Sequence, residues 1–416
     1  MSILNGRRII VGVTGSIAAY KIATLASRLT QAGALVDVVM TAAATRFVSP
    51  LTFQALTGRP VYTDMWQTDT GGGLPTHVAH VGLAEEADLL VVAPATANTM
   101  AKLAHGLADN LLTVTALAAR CPLVVAPAMD VGMFEHPATQ ANLETLAARD
   151  GVIVVGPETG RMASGLEGLG RLVEPEILLG ACRLALGAGG PLAGHKVVVT
   201  AGGTRESLDP VRFITNWSSG RQGFALAQAA LDQGAEVVLV AAPANLPTPV
   251  GAERVAVVSA QDMLEAVLAR ATGDPPASAL LMAAAVSDFR PVSRSEHKIK
   301  KGRDGVPQLA LESTPDILAE VAKAAHRPSV VVGFAAESQN VVENARDKLA
   351  RKKLDMIVAN DITATDAGFG VETNRVTLLT PQDEVTLPLL TKDEVAARVV
   401  AWVAERLIER DSERTA

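Results

Sequence analysis

Apolar and polar positions along the chain fall into short buried runs separated by amphipathic stretches of helical length. Arg8 to Val13 is an apolar run that breaks at Thr14-Gly15-Ser16 and passes into a helical pattern, predicting strand, glycine turn and helix. Further runs at Leu35–Met40, Leu89–Pro94, Leu123–Pro127 and Val152–Gly156 predict strands, with helix-length segments between them such as Tyr20–Ala32 and Met100–Arg120. Strands alternating with helices predict a parallel sheet covered on both faces. A helix around Ala181–Leu186 then runs into Gly187-Ala188-Gly189-Gly190-Pro191, which reads as a linker.

Beyond that stretch the pattern restarts. Lys196–Thr200 predicts a strand, Ala201-Gly202-Gly203-Thr204 a turn, and a helix follows from about Gly223. Glu236–Val240, Leu280–Ala284, Val330–Phe334 and Met356–Ala359 predict further strands, and the charged tail from about Glu405 is expected to fray. The fold class is therefore α/β: two doubly wound, mainly parallel-sheet (Rossmann-like) domains, 1–190 and 191–416, joined by a Gly-rich linker.

Composition narrows the function. Among 416 residues, 49% are hydrophobic and 19% charged, which supplies a large core and argues against disorder. Aromatics make up only 3%, and 37 basic against 44 acidic residues leave a net charge of −7, so neither a stacking platform nor a basic footprint for nucleic acid is present. Two cysteines, Cys121 and Cys182, are too few for a disulfide framework or a multi-thiolate metal site. The N-terminus turns glycine-rich too early for a signal peptide or membrane anchor, so a cytoplasmic enzyme is expected.

Candidate chemistry gathers where strands end, because ligands of open α/β sheets bind at that edge. The turn at Gly15-Ser16-Ile17 aims backbone N–H groups at an anion, although a glycine there also suits a plain strand–helix connection. Loops at Pro94–Thr99 and Pro127–Met133 carry small hydroxyl and amide side chains, which cap helices equally well. His80 precedes the acidic pair Glu85-Glu86; a lone histidine is more often structural.

Taken in order, GSIAAYK (15–21), the His80 segment, PATANT (94–99), PAMDVGMF (127–134) and ASGLEGLGRLVEP (163–175) resemble the flavin-containing cysteine decarboxylases, in particular the phosphopantothenoylcysteine decarboxylases. The resemblance spans the first 190 residues. It implies FMN held by Gly15, Ser16, Thr41, Thr96 and Asn98, with His80 as the active-site histidine. It also implies oxidation of a cysteinyl thiol to a thioaldehyde, loss of the adjacent carboxylate, and reduction of the resulting enethiol. Two catalytic positions depart from the family pattern: Asp130 stands where an asparagine holds the substrate carboxylate, and Ser164 where a cysteine donates a proton. A hydroxyl is a far weaker acid than a thiol, whose pKa is ~8.5.

In the second half, a long polar loop over 209–223 feeds a helix, and Ala283–Pro291 carries Asp288 at a strand end. Glu296–Gly302 is a basic run with glycine that suits a flap over a polyphosphate, though most such runs are solvated faces. DPVRFITNWSSG, AAVSDFR, KIKK, TPDIL, GFAAE and LDMIVAND resemble, in order over about 196–362, the phosphopantothenate–cysteine ligases. That resemblance implies attack of the 4′-phosphopantothenate carboxylate on the α-phosphate of CTP, release of pyrophosphate, and displacement of CMP from the acyl-cytidylate by L-cysteine. Lys298 matches the catalytic flap lysine and Asn216 the residue holding the acyl-cytidylate. Asp288, Lys298, Pro315, Asp316, Ile317, Leu318, Phe334, Lys348 and Lys352 match CTP contacts. Mg²⁺ is expected mainly on CTP phosphates and water.

The two resemblances together imply coenzyme A biosynthesis by a bifunctional enzyme acting on 4′-phosphopantothenate, L-cysteine and CTP. They also imply a homo-oligomer, trimeric through the flavin half and dimeric through the ligase half, giving a dodecamer. An alternative is a CTP-dependent ligase whose flavin-binding half is degenerate or regulatory, a drift that Asp130 and Ser164 would mark. A nicotinamide oxidoreductase is disfavoured because no well-spaced G-x-G-x-x-G with its downstream acid is present.

Overall fold

The computed structural model describes residues 2–66, 79–300, 308–337, 339–361 and 371–415. The chain divides into two compact units, Met1–Gly187 and Ala188–Ala416. In the first, the elements run β1 (Arg8–Val13), α1 (Ala19–Gln31), β2 (Leu35–Met40), α2 (Pro50–Thr57), β3 (Val61–Tyr62), α3 (Ala79–Glu86), β4 (Leu89–Ala95), α4 (Ala97–His105), α5 (Leu111–Ala118), β5 (Leu123–Pro127), α6 (Val131–Phe134), α7 (Pro137–Ala147), β6 (Val152–Val154), β7 (Glu158–Arg161), β8 (Glu167–Arg171) and α8 (Pro175–Gly187). Six strands form a parallel sheet in the order β3-β2-β1-β4-β5-β6. The strand order reverses at β1, between β2 and β4, which opens a crevice at the carboxyl edge.

Strands buried on both faces explain the continuous apolar runs: Ile9, Val11, Leu89, Val91 and Val124 are fully enclosed. Asp37 is the exception in β2, and its buried carboxylate accepts from Arg8 Nε at 2.9 Å and Arg59 Nε at 2.8 Å. Met100–Arg120, expected as one helical stretch, is two helices. Gly106 ends α4 in the left-handed region at φ 70°, and Asn110 starts α5 with a capping box shared with Thr113.

The second unit runs β9 (Lys196–Ala201), β10 (Arg205–Ser207), β11 (Phe213–Thr215), α9 (Arg221–Asp232), β12 (Glu236–Ala241), β13 (Glu253–Ala256), α10 (Ala260–Ala271), β14 (Ala279–Met282), β15 (Phe289–Pro291), β16 (Leu311–Ser313), α11 (Ile317–Lys323), β17 (Val330–Glu337), α12 (Val341–Arg351), β18 (Met356–Asp361), β19 (Thr373–Asn374), β20 (Val376–Leu379), β21 (Glu384–Thr386), β22 (Leu390–Thr391) and α13 (Lys392–Thr415). Its eight-stranded sheet has the order β13-β12-β9-β14-β17-β18-β20-β21, parallel through β18 and antiparallel at β20 and β21. Side chains of α10, α11 and α12 form one apolar cluster over the sheet, including Met263, Val267, Ile317, Val321 and Leu349.

Two expectations need correction. Of the stretch read as a linker, Ala188 and Gly189 are exposed but Gly190 is packed: a Cβ there would collide with the Gln233 carbonyl oxygen, and Leu192 N donates to the same oxygen at 2.7 Å. The charged tail does not fray; it is the end of α13, where Leu407 is buried and Arg410 pairs with Asp355 at 2.7 Å.

Candidate functional sites at two sheet edges

In the first unit, the sequence-expected residues fall after successive strands: Gly15 and Ser16 after β1, Thr41 after β2, Thr96 and Asn98 after β4, and Asp130 after β5. Gly15 is required by space, since a Cβ would stand 2.5 Å from that of Ala43. Thr14 ties the edge together, donating to the Pro94 carbonyl at 2.5 Å and accepting from Thr96 N at 3.2 Å. Thr41 accepts from Ala44 N at 3.3 Å, and Thr96 caps α4 by accepting from Thr99 N at 3.4 Å. The 13-residue α1 follows its N-cap Ala18 with no side-chain cap and no acid in its first turn, so its dipole favours an anion, while Ala19 N and Lys21 N donate to Ser16 O and Ala18 O at 3.0 Å. Lys21 of the same motif is committed elsewhere, donating to the Leu172 carbonyl at 3.0 Å and to Glu174 at 2.9 Å.

His80 is the second residue of α3, the helix that precedes β4. The Nδ1 atom of His80 is buried and has no hydrogen-bond partner among the described residues. A glycine turn, a helix start with no acid in its first turn and an orphaned imidazole nitrogen are the features a bound flavin phosphate and its substrate would use. Residues 76–78 of the His80 segment lie outside the described residues.

The β7–β8 hairpin lies on the loop after β5 because two glycines leave room. A Cβ at Gly168 would stand 2.8 Å from Val131 Cγ2, and one at Gly170 would collide with the Met129 carbonyl oxygen, while Met129 N donates to Gly170 O at 3.0 Å. The hairpin tip thereby carries Ser164 to Asp130, whose other oxygen accepts from Gly132 N at 3.4 Å.

In the second unit, a cavity of about 1410 Å³ opens at the carboxyl edge. Asn216, Asp288, Pro315, Asp316, Ile317, Leu318, Phe334, Lys348 and Lys352 all line it. Gly223 lets α9 pack close on β9, since a Cβ would meet Thr200 O at 2.6 Å. Asn216 is fixed by donating to Val286 O at 3.0 Å. Asp316 caps α11 by accepting from Ala319 N at 3.1 Å and pairs with Lys352, whose ammonium burial pulls below the usual lysine range. Lys348 Nζ approaches Phe334 O at 3.4 Å. Asp288 lies six residues past the end of β14, in a loop rather than at the strand end itself.

Lys298 does not line the cavity. It is exposed, and its neighbour Ile299 is anchored: Ile299 N donates to Asp209 Oδ2 at 3.1 Å, and Arg212 Nη2 donates to Ile299 O at 2.5 Å. Asp209 also accepts from Arg212 Nε at 2.9 Å and from the backbone of Val211 and Arg212, and the Arg212 guanidinium holds its carboxyl far below the usual range. Lys301 and Gly302 of the basic run lie outside the described residues. Sequence inspection passed over Arg221, Gln222, Asn360, Asn374 and Lys392 as site residues, all of which line the cavity. Arg221 and Gln222 sit at the end of the polar loop over 209–223 and Asn360 inside a recognisable strand motif, while Asn374 and Lys392 carry no local signal.

The flavoprotein family model matches residues 2–182, and the DNA/pantothenate metabolism flavoprotein C-terminal domain matches residues 192–407. The coenzyme A biosynthesis bifunctional protein CoaBC of Bacillus subtilis is 46% identical over 405 residues, covering 96% of this chain and 97% of that protein. The chain belongs to the CoaBC family. CoaBC of Vibrio cholerae is 44% identical over 98% of this chain and 100% of its own length, and that of Mycobacterium tuberculosis 46% over 95% of each. Among solved structures, the C-terminal domain of a CoaBC is 39% identical, with a TM-score of 0.45, covering 53% of this chain and 98% of that one. A PPC decarboxylase mutant complexed with pantothenoylaminoethenethiol is 34% identical, with a TM-score of 0.39, covering 43% and 98%. Full-length identity to bifunctional CoaBC proteins does not favour a chain whose flavin half is merely regulatory.

Proposed function

We propose that this chain ligates L-cysteine to 4′-phosphopantothenate with CTP in its second unit and decarboxylates the product, with FMN, in its first. The observation that carries the ligase assignment is the convergence of Asn216, Asp288, Pro315–Leu318, Phe334, Lys348 and Lys352 on one cavity. There the Phe334 ring offers a face to the pyrimidine, Lys348 and Lys352 supply cations, and Asn216 holds the mixed anhydride. Lys298 reaches the phosphates from its anchored root, completing the electrostatic clamp that phosphoryl chemistry needs.

In the first unit, Gly15 and Ser16 hold the flavin phosphate at the start of α1, and Thr41, Thr96 and Asn98 complete the cradle. A flavin bound there supplies oxidation of the cysteinyl thiol and returns the electrons after CO2 leaves. His80 handles the proton of the reacting thiol or carboxylate. Asp130 and Ser164 close the site from the hairpin side. Ligation precedes decarboxylation, so the two units act in series on one substrate. Magnesium travels with the CTP phosphates; among the described residues no group of three His, Cys, Asp or Glu side chains is placed to hold a metal. The proposal includes a cytoplasmic homo-dodecamer, checked by light scattering. Among the described residues no helix is long and apolar enough to cross a membrane.

The test is direct. Purified protein should be yellow, form pyrophosphate from CTP once 4′-phosphopantothenate is present, release CMP only when L-cysteine is added as well, and release CO2 from 4′-phosphopantothenoylcysteine without CTP. His80→Asn should keep the colour and lose CO2 release. Ligation with accumulation of the acylated cysteine would overturn the decarboxylase half.

A further inference from the structure

Three stretches of the second unit's cavity wall come from distant parts of the chain, and a residue outside the wall joins them. Thr204 follows Gly202-Gly203 after β9, is wholly buried, and does not line the cavity. Its backbone is stitched to the loop after β14: Thr204 N donates to Ala285 O at 3.2 Å, Ala285 N donates to Gly202 O at 2.8 Å, and Gly203 pairs with Ala285 as in a parallel ladder. The hydroxyl and the carbonyl of Thr204 each take a further partner. Oγ1 accepts from Ser287 N at 2.9 Å, one residue before Asp288, and the carbonyl accepts from Thr215 Oγ1 at 2.7 Å, one residue before Asn216. The bond from Asn216 to Val286 O closes the ring.

The chain of bonds goes on to the third stretch. Ser287 O accepts from Thr314 Oγ1 at 2.5 Å and Asp288 O accepts from Thr314 N at 3.0 Å, immediately before Pro315–Leu318. Bonds that served only to fasten loops could fall anywhere along them. These fall on the residues just before Asn216, Asp288 and Pro315, the three places where the wall meets its ligands in the ligase reading. Valine has the shape of threonine, so what Thr204 adds is an oxygen for Ser287 N. Ser287 is 3% exposed, and a buried donor left without that oxygen carries its full desolvation cost.

We propose that Thr204 is a positioning residue for ligation: it sets the spacing between Asn216, which holds the acyl group, and Asp288, which meets the nucleotide, and Thr314 passes that setting to Pro315–Leu318. This rests on the ligase reading above. The substrate carboxylate must be lined up on the α-phosphorus by groups on separate loops, and a misplacement of about 1 Å costs on the order of 100-fold in rate. Thr204 touches neither reactant and acts through the loops that do.

The experiment is steady-state pyrophosphate release by the full-length protein with CTP, 4′-phosphopantothenate and L-cysteine. Thr204→Val should lower kcat about tenfold or more while the KM for CTP stays within about threefold, with CO2 release from 4′-phosphopantothenoylcysteine unchanged. Thr204→Ser, which keeps the hydroxyl, should recover kcat to within about threefold of wild type. In an Asn216→Ala background, Thr204→Val should cost less than about twofold more, because the two act on one step. A wild-type kcat in Thr204→Val would overturn the proposal, as would a serine variant as slow as the valine one, or losses from Thr204→Val and Asn216→Ala that simply multiply. Should Thr204→Val no longer bind CTP by calorimetry, Thr215→Val and Thr314→Val break the same chain one bond at a time, and a wild-type kcat in both would overturn it equally. A wild-type chain that forms no pyrophosphate would sink the ligase reading itself, whereas an active wild type indifferent to these changes would sink only this inference.

Discussion

Ser164 Oγ donates a 2.5 Å hydrogen bond to Asp130 Oδ2. The two positions at which the chain departs from the decarboxylase pattern are thus in contact. A hydroxyl turned into a carboxyl group is not simultaneously aimed at substrate, and it is a weak acid to begin with. Replacing Ser164→Cys should speed formation of the saturated product by about tenfold, below the ~10²–10⁴ range of a fully positioned acid. The ratio of enethiol to saturated product, read by mass spectrometry, checks it; an unchanged ratio would mean that another group or water delivers the proton.

Gly15→Ala forces a methyl group to within 2.5 Å of the Ala43 side chain, so the turn must shift. Overpacking of this kind costs ~1–3 kcal/mol. The variant should purify with much less flavin per chain, measured by absorbance, while its CTP-dependent ligation is unchanged because that site lies in the other unit.

Asp209 joins three partners: Arg212, Ile299 N and the turn at Val211–Arg212. Its pKa is depressed in the folded state, chiefly by Arg212, so it stabilises the fold above the unfolded value of ~3.9 and that contribution disappears as pH falls through the folded value. Asp209→Asn should therefore be less stable than wild type at pH 7, and urea melts of the two proteins should begin to converge only as pH falls below about 4. Ligation should fall as well, since the segment carrying Lys298 loses its anchor.

Lys352→Ala removes the ion-pair partner of Asp316 within the cavity. Loss of one charge-assisted contact to nucleotide is worth on the order of tenfold in affinity. The KM for CTP should rise accordingly, with CO2 release from preformed 4′-phosphopantothenoylcysteine unaffected.

Much of this architecture is visible in the chain because the strands are buried on both faces. β1, β2 and β5 match their apolar runs residue for residue, and β4, β9, β12 and β18 differ at an end by a residue or two. Position at a strand's carboxyl end then locates Gly15, Thr96 and Asp130 without any coordinates. The failures have physical causes too. Gly106 and Asn110 split a helix-length segment, and a charged tail proved amphipathic, burying Val395, Val399, Val403 and Leu407. The ribbons β10–β11, β15–β16 and β19–β22 are too short for an alternating pattern to register. Asn374 and Lys392 escaped notice because what makes them chemical is a tertiary juxtaposition, and neither has a spacing to betray it.

α13 begins at Lys392, yet the surface it covers includes α9, which ends at Asp232. During synthesis that face of α9 leaves the ribosome long before its cover exists. The second unit must therefore wait, partly open and prone to aggregation, for translation to reach α13, whereas the first can close its own sheet as soon as α8 emerges. Conditions that slow elongation late in the message should show up as insoluble protein rather than as a slow enzyme.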